Sequence, residues 1–470
     1  MQASEVTGSP RFTGKQRVVL LVLLGAGFML SVDFSILNVA LPEVGAGIGL
    51  GPTGLPWITS AYALPAAGFT LLFGRLADLF GRRRLFMTGL ALLFGASLLG
   101  GFAANPAMLL VSRLFQGLAT AMTIPTALSL LTTTFTDSSQ RRRVLGLNGA
   151  LLSGGFSAGA LAGGALVTAL GWRAAFFINV PVAAVILLAT PFVIAESTRD
   201  GRVKLDVPGA VTVTGGLLAV IYAIIEHDLA VGGLGVVLLG AFWAIELRAA
   251  APLAPMRILR KPSVKWGNYA GLVIFVVEPG MIFLMTLYLQ QELHLSPLLT
   301  GLIFGIPGIA SMFAGVLAGR FIGRFGSRTV LAAGMAVQGL VIVPLIFLGT
   351  GHAALLVLIP SLFVGFFGHV SAIVAFTVTA TSDLPDREQG LATGLTSMTQ
   401  QAGVTVGIPL LSAVAATQAG RLTGIHLGLT VAVVLILASV ALVWTRLRAT
   451  GEHGPAAEAD NRRDLVNVAD

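Results

Sequence analysis

The sequence predicts an all-α, polytopic membrane protein: two six-helix halves and two inserted helices, fourteen transmembrane helices in all, with both termini cytoplasmic. Three observations carry the prediction. Hydrophobic residues make up 55% of the 470 residues and charged residues only 11%, against about 25% charged in soluble domains. A soluble chain of this length would lack the charge to cover its own surface. Apolar segments of roughly twenty residues, the length that crosses a bilayer as a helix, recur along the whole chain. The basic residues between them fall in alternate loops, as they do when one side of a membrane keeps the positive charge.

In chain order the apolar segments lie near 18–41, 55–73, 85–103, 107–132, 145–169 and 173–195. A second series lies near 208–226, 231–250, 266–290, 297–319, 329–349, 354–378, 390–418 and 425–446. The first run, Val18 to Leu41, is long enough to span and stay in the bilayer, and residues 1–17 lack the short apolar core and cleavage site of a secretory signal. With the N-terminus inside, 26 of the 29 Lys and Arg residues fall in cytoplasmic segments, leaving Arg173 and Arg421 outside and Arg113 within a helix. Losing one helix would invert every later loop, so the even number follows from the charge. The same one-sided placement explains the net charge of +8 without a nucleic-acid partner. Trp57, Trp172, Trp266 and Trp444 fall at segment ends, where an interfacial belt is expected. The absence of cysteine excludes disulfides and thiol chemistry. The heavy excess of arginine over lysine points to a GC-rich bacterium and hence to its cytoplasmic membrane. The boundaries that follow are 1–17 for a cytoplasmic N-terminal tail, 18–198 for the first six-helix half, 199–265 for the inserted pair with its loops, 266–448 for the second half and 449–470 for a charged cytoplasmic tail.

The polar stretch Gly74-Arg75-Leu76-Ala77-Asp78-Leu79-Phe80-Gly81-Arg82-Arg83-Arg84-Leu85 stands between two uncharged segments. Its glycines allow a tight turn, and its arginines must face water. It resembles the loop between helices 2 and 3 of the major facilitator superfamily, G-x-L-A-D-x-x-G-R-R-x-L, at every fixed position. Arg324-Phe325-Gly326-Ser327-Arg328 echoes it between the tenth and eleventh segments, with Gly323 where the first copy has Asp78. Helices 1–6 and 9–14 then form homologous halves, and the pair left over resembles the insertion of the fourteen-helix drug:proton antiporter subfamily. The resemblance covers nearly the whole chain. Val32-Asp33-Phe34-Ser35-Ile36-Leu37-Asn38-Val39-Ala40-Leu41-Pro42 is similar to the subfamily's first-helix signature, Arg113-Leu114-Phe115-Gln116-Gly117 to R-x-x-Q-G of helix 4, and Trp172-Arg173-Ala174-Ala175-Phe176-Phe177-Ile178-Asn179-Val180-Pro181 to W-R-x-x-F-x-I-N-x-P. In the fifth segment Gly155, Gly159, Gly163 and Gly164 match the antiporter motif G-x-x-x-G-P-x-x-G-G, but Ala160 replaces its proline. The small residues still allow close helix packing.

Charges inside a membrane cost about 2.5–3.5 kcal/mol each on insertion scales, so each needs a reason. Asp33, Arg113 and Glu278 lie well inside segments. Asp33 precedes Gly81 by 48 residues and Glu278 precedes Gly326 by 48 residues, which places the two acids at equivalent positions of the two halves, facing a shared central cavity. Burial favours the neutral form of a carboxylate, so the pair is a candidate proton and cation site, with a structural ion pair as the alternative for Asp33. Arg113 cannot lose its proton and needs a partner or a wet cavity. The resemblance implies proton coupling by Asp33, Arg113 and Glu278 and a substrate cavity at Asp33, Asn38, Gln116 and Glu278. It also implies a conformational switch loop at Gly74, Asp78, Gly81, Arg82 and Arg83 that latches against the second half. His369 is a weak site candidate; a packed, hydrogen-bonded histidine is the plainer reading. No metal-ligand cluster and no ATP-binding G-x-x-x-x-G-K-[ST] run occurs.

The expectation is a proton-coupled exporter of amphipathic drugs or antibiotics, not an enzyme, without cofactor and driven by the proton gradient. Its partners are the small-molecule substrate, protons and membrane lipids, and it acts as a monomer. Two alternatives stand beside it: a proton-coupled uptake permease, favoured by Ala160, and a membrane receptor or enzyme, disfavoured by the lack of clustered catalytic groups.

Overall fold

The computed structural model describes residues 12–51, 54–135, 137–196, 206–249, 256–382, 384 and 386–447, and the regular structure among them is helical throughout. The first half comprises α1 (Gly14–Ile48), α2 (Leu55–Phe80), α3 (Arg82–Gly101), α4 (Pro106–Thr134), α5 (Ser138–Leu170) and α6 (Asn179–Val193), the last preceded by the short helix Ala174–Phe177. The inserted pair is α7 (Val207–Glu226) and α8 (Leu229–Glu246). The second half comprises α9 (Pro262–Leu287), α10 (Pro297–Phe325), α11 (Ser327–Ile342), α12 (Leu355–Thr381), α13 (Asp386–Ala416) and α14 (Arg421–Arg446). Several starts are set by side chains that satisfy the first free N–H groups. Thr13 and Gln16 form a capping box ahead of α1, while Asn105 and Ser296 cap α4 and α10 with a proline next in line.

Among the described residues, twelve helices are long and apolar enough to cross a membrane. The other two, α2 and α13, line the junction of the halves. Within the first half α1 packs on α5 and α4, α2 on α4, and α3 on α4 and α6. The second half repeats the scheme, with α9 on α13 and α12, α10 on α12, and α11 on α12 and α14. The halves meet reciprocally: α5 lies against α10, and α2 against α13. The second helix of each half thus faces the fifth of the other, as a twofold relation between parallel repeats requires. The inserted pair sits to one side, α7 against α2 and α13, and α8 against α7. Gly68 of α2 admits Thr214 of α7, and Trp57 donates its indole N–H to Glu226 at 3.0 Å.

The apolar cores reveal how the halves are joined. Residues of the first half at the end away from the arginine loops, such as Ile36, Leu41, Ile58, Leu109, Val167 and Phe176, belong to one continuous core with most of the second half, whose Val264, Leu384, Ala392 and Leu395 form a small cluster apart with Ile258. Residues nearer those loops, such as Leu23, Leu30, Phe86, Leu90, Leu130 and Ile194, form a separate core of their own. Among the described residues, three hydrogen bonds tie the halves on the joined side: Gln290 Nε2 to the Val39 carbonyl (2.8 Å), the Leu298 N–H to Thr168 Oγ1 (3.1 Å) and Thr405 Oγ1 to the Ala63 carbonyl (3.0 Å).

Candidate functional site

A buried ionised group must be paired and hydrogen-bonded to be tolerated, and α1, α2, α3, α4 and α6 do this for Asp33 and Arg113. Both side chains are fully buried. Arg113 Nη1 lies 3.3 Å from Asp33 Oδ2 and donates to Gln116 Oε1 at 2.7 Å, while its Nε donates to the Ile58 carbonyl at 3.1 Å. The guanidinium also stacks over the Tyr62 ring, 4.3 Å from its centre. Asp33 Oδ1 accepts from Gln116 Nε2 at 3.4 Å and from Asn179 Nδ2. Gln116 Nε2 further reaches Ser97 Oγ at 3.0 Å, and the Tyr62 hydroxyl pairs with Thr120 Oγ1 at 2.8 Å. Ser97, Thr120 and Tyr62 were not singled out from the sequence, and Asn179 was read only as part of the W-R-x-x-F-x-I-N-x-P run, without a role in the site. For Asn179 a signal existed, an amide inside the apolar run Phe176 to Pro181.

Glu278 occupies the corresponding helix of the second half but a different environment. It lines a narrow cavity between α9, α11 and α12 together with Gln338, Ser361 and His369, with room for no more than about one water. The shared central cavity expected for the two acids is therefore corrected: every partner of Asp33 comes from the first half, and every wall of the Glu278 cavity from the second. For Asp33 the cause is the demand of its charge for local compensation, which Arg113, Gln116 and Asn179 of the same half supply. Asn38, grouped with them by resemblance, donates to the Phe34 carbonyl of its own helix and takes no part in the network. His369 is packed as expected, buried against the Phe275 and Phe366 rings, but its Nδ1 has no hydrogen-bond partner, so the hydrogen-bonded part of that reading is corrected.

The loop glycines do what only glycine can. Gly81, between α2 and α3, has φ 101° and ψ 128°; Gly326, between α10 and α11, has φ 79° and ψ 154°. Both lie in a backbone region closed to side chains with a Cβ. Two residues on, Arg83 Nη1 donates to the Ile194 carbonyl at the end of α6 (3.0 Å), and Arg328 Nη2 donates to the Trp444 carbonyl near the end of α14. Each arginine thus satisfies a terminal carbonyl of the sixth helix of its own half. Arg83 and Arg84 also approach Glu196 at 3.5 Å. The latch against the second half is corrected for these two residues, whose partners lie in the first half. Gly74 is only loosely packed, with Pro125 its nearest neighbour, and Arg82 begins α3. The Asp78 and Arg75 side chains lie outside the described residues.

On α5 the glycines divide between two neighbours. Gly155, Gly159 and Gly163 recur every fourth residue on one face, where an added Cβ would come within 2.9, 2.7 and 2.9 Å of α1. Ser31 and Ser35 of α1 bond to the Leu152 and Phe156 carbonyls along the same seam. Gly164 turns the other way, its Cβ position 2.5 Å from the Pro297 carbonyl of α10. Gly301 answers from α10, where an added Cβ would come within 2.4 Å of the carbonyl of Ala160.

Residues 23–408 match the Major Facilitator Superfamily. The chain is 34% identical to the puromycin resistance protein pur8 of Streptomyces alboniger over 93% of both chains. It is 33% identical to the cephamycin export protein CmcT of Amycolatopsis lactamdurans over 87% of both. Identity to the multidrug resistance protein Stp of Mycobacterium tuberculosis is 30%, over 85% of this chain and 76% of that one. Among solved structures, the human organic anion transporter MFSD10 superposes with a TM-score of 0.64 at 17% identity, over 92% of this chain and 100% of that one.

Proposed function

The chain belongs to the Major Facilitator Superfamily, a family of membrane transporters and not of enzymes, and from that premise we propose that it expels amphipathic drugs or antibiotics from the cytoplasm in exchange for protons. The observation that carries this reading is the split core: among the described residues, the first half shares an apolar core with the second at one end and has a core of its own at the arginine-loop end. That is one of the two states alternating access needs, the one open on the side where positive charge is kept. Relatives named for puromycin resistance, cephamycin export and multidrug resistance supply the substrate class. Fourteen crossings, an energy source in the proton gradient without cofactor, lipid as the surrounding solvent and a monomeric unit complete the proposal. Asp33, Arg113 and Glu278 are the buried charges among which its coupling site lies.

Everted membrane vesicles test it, with puromycin, a cephamycin and lincomycin as probes. Adding a transported probe to vesicles holding a preformed proton gradient dissipates the gradient when the protein is present and not in its absence. A gradient that none of the three disturbs, or probe movement in the same direction as protons, overturns antiport.

A further inference from the structure

The cavity of the second half differs from the Asp33 site in what it offers an acid. Asp33 receives donors from Arg113, Gln116 and Asn179, a set suited to a carboxylate, which only accepts. Glu278 has no hydrogen bond or ion pair among the described residues. Beside it, Gln338 is buried with both Nε2 and Oε1 unpartnered, and His369 is buried with Nδ1 unpartnered. Three polar groups from α9, α11 and α12 therefore converge on one cavity with their bonding capacity unused, and each such group calls for an occupant. The cavity has room for no more than about one water, so the occupant is small.

Its charge follows from the surroundings. The titratable groups lining the cavity are Glu278 and His369. Those on the helices packed around α9 are engaged elsewhere: Tyr269 with Ser439, Tyr288 with the Gly349 carbonyl, His426 with the Leu348 carbonyl and Arg421 with Glu292. Arg328 and Arg446 stack on Trp444 and Trp266, Lys265 lies over Trp266, and Asp33 is held by Arg113. Glu292 faces Arg421, and Glu43 is exposed near the end of α1. The side chains of Asp386, Arg387 and Glu388 lie outside the described residues. Among the described residues no fixed cation thus faces Glu278, whereas Asp33 has one.

We propose that the Glu278–Gln338–His369 cavity is the site where the exchanged proton is held, and that the Asp33–Arg113 pair is a permanently compensated counterpart. The residue types fit both states of such a site. Gln338 Nε2 donates to the carboxylate and Oε1 accepts from the carboxylic acid, and an imidazole nitrogen can do either. On loading, an O–H bond of a hydronium ion breaks and the O–H bond of the Glu278 carboxyl forms. On release the electron pair stays on the carboxylate and the proton leaves on water. Imidazole is a poor ligand for sodium, a hard cation that takes oxygen, and this favours the proton as occupant. The inference rests on the proton-driven reading above, but its test observes the carboxyl itself and needs no substrate, so the two can fail separately.

The full-length protein in liposomes is examined by infrared difference spectroscopy across a pH titration, with and without sodium chloride. A protonated-carboxyl band that titrates in the native protein and in Asp33→Asn, is absent in Glu278→Gln, and is unchanged by sodium is the expected result. In His369→Gln and Gln338→Leu, each verified as monodisperse, its midpoint moves by more than about half a pH unit, a shift well above that of a remote surface change. Persistence of the band in Glu278→Gln, its disappearance in Asp33→Asn, indifference to both neighbours, or its displacement by sodium overturns the proposal.

Discussion

Arg113 shows at the scale of one residue why a buried charge is not by itself a moving part. It contacts Asp33, Gln116, the Ile58 carbonyl and the Tyr62 ring at once, a set that uses the planar fork of a guanidinium and that an ammonium cannot span. Asp33→Asn leaves this cation buried without its counter-charge, and breaking such a pair costs about 3–5 kcal/mol. Thermal unfolding of the purified protein should show Asp33→Asn and Arg113→Gln each strongly destabilised, and the double variant substantially recovered, since the coupling belongs to the pair. A single Asp33→Asn as stable as the native chain would refute the compensated pair. Arg113→Lys tests the fork: it should unfold at a lower temperature than the native protein although the charge is kept. Equal stability would mean that the positive charge alone suffices.

Helix α5 carries two contacts of different kind. Its Gly155, Gly159 and Gly163 face binds α1 inside the first half, while Gly164 meets Pro297 and Gly301 of the second. A side chain at 163 should therefore damage the half itself, and one at 164 should act on the closed end. With cysteines placed at Thr168 and Leu298, whose side-chain oxygen and backbone nitrogen are 3.1 Å apart, the closed state can be trapped by a disulfide. Overpacking costs about 1–3 kcal/mol, so Gly164→Leu should lower the cross-linking yield at least about fivefold. An undiminished yield would show that this contact does not close the end. The arginine caps make a second prediction at this scale. Arg83→Ala and Arg328→Ala remove equivalent donors from the ends of α6 and α14, so hydrogen exchange should quicken at the last turn of α6 in the first variant and of α14 in the second. Exchange unchanged at both ends would exclude the capping role.

For the whole molecule the sides of the membrane are assigned by charge, and the absence of native cysteine makes labelling clean. Cysteine at the exposed position 84 should react from the cytoplasm, and cysteine at the exposed position 352 from outside. Reaction of both from one side would overturn the topology. The inserted helices do not alter this parity, so they need their own probe. Asp228 stands at the turn between α7 and α8, and cysteine there should label from outside if the pair crosses. Labelling from the cytoplasm would reduce the crossings from fourteen to twelve.

Much of this was legible in the chain because it depends on local or additive quantities. Apolar length and basic loops predict spans and sidedness. Gly81 and Gly326 marked the repeat, and the equal 48-residue offset of Asp33 and Glu278 from them placed the acids in equivalent helices. The resemblance pointed to Gln116 beside Arg113, and the small residues of α5 announced close packing without naming the neighbour. What the offset could not tell is that one acid is tied to a guanidinium and the other faces an unused amide and imidazole. Asp33 meets Asn179 across 146 residues and Arg113 across 80, and nothing in either local pattern encodes that meeting. Nor does any motif tell which end of the halves is joined. These features are decided by how each helix is rotated and which neighbour its small residues admit, and that choice is a property of many weak contacts made together, present only when all the helices are in place.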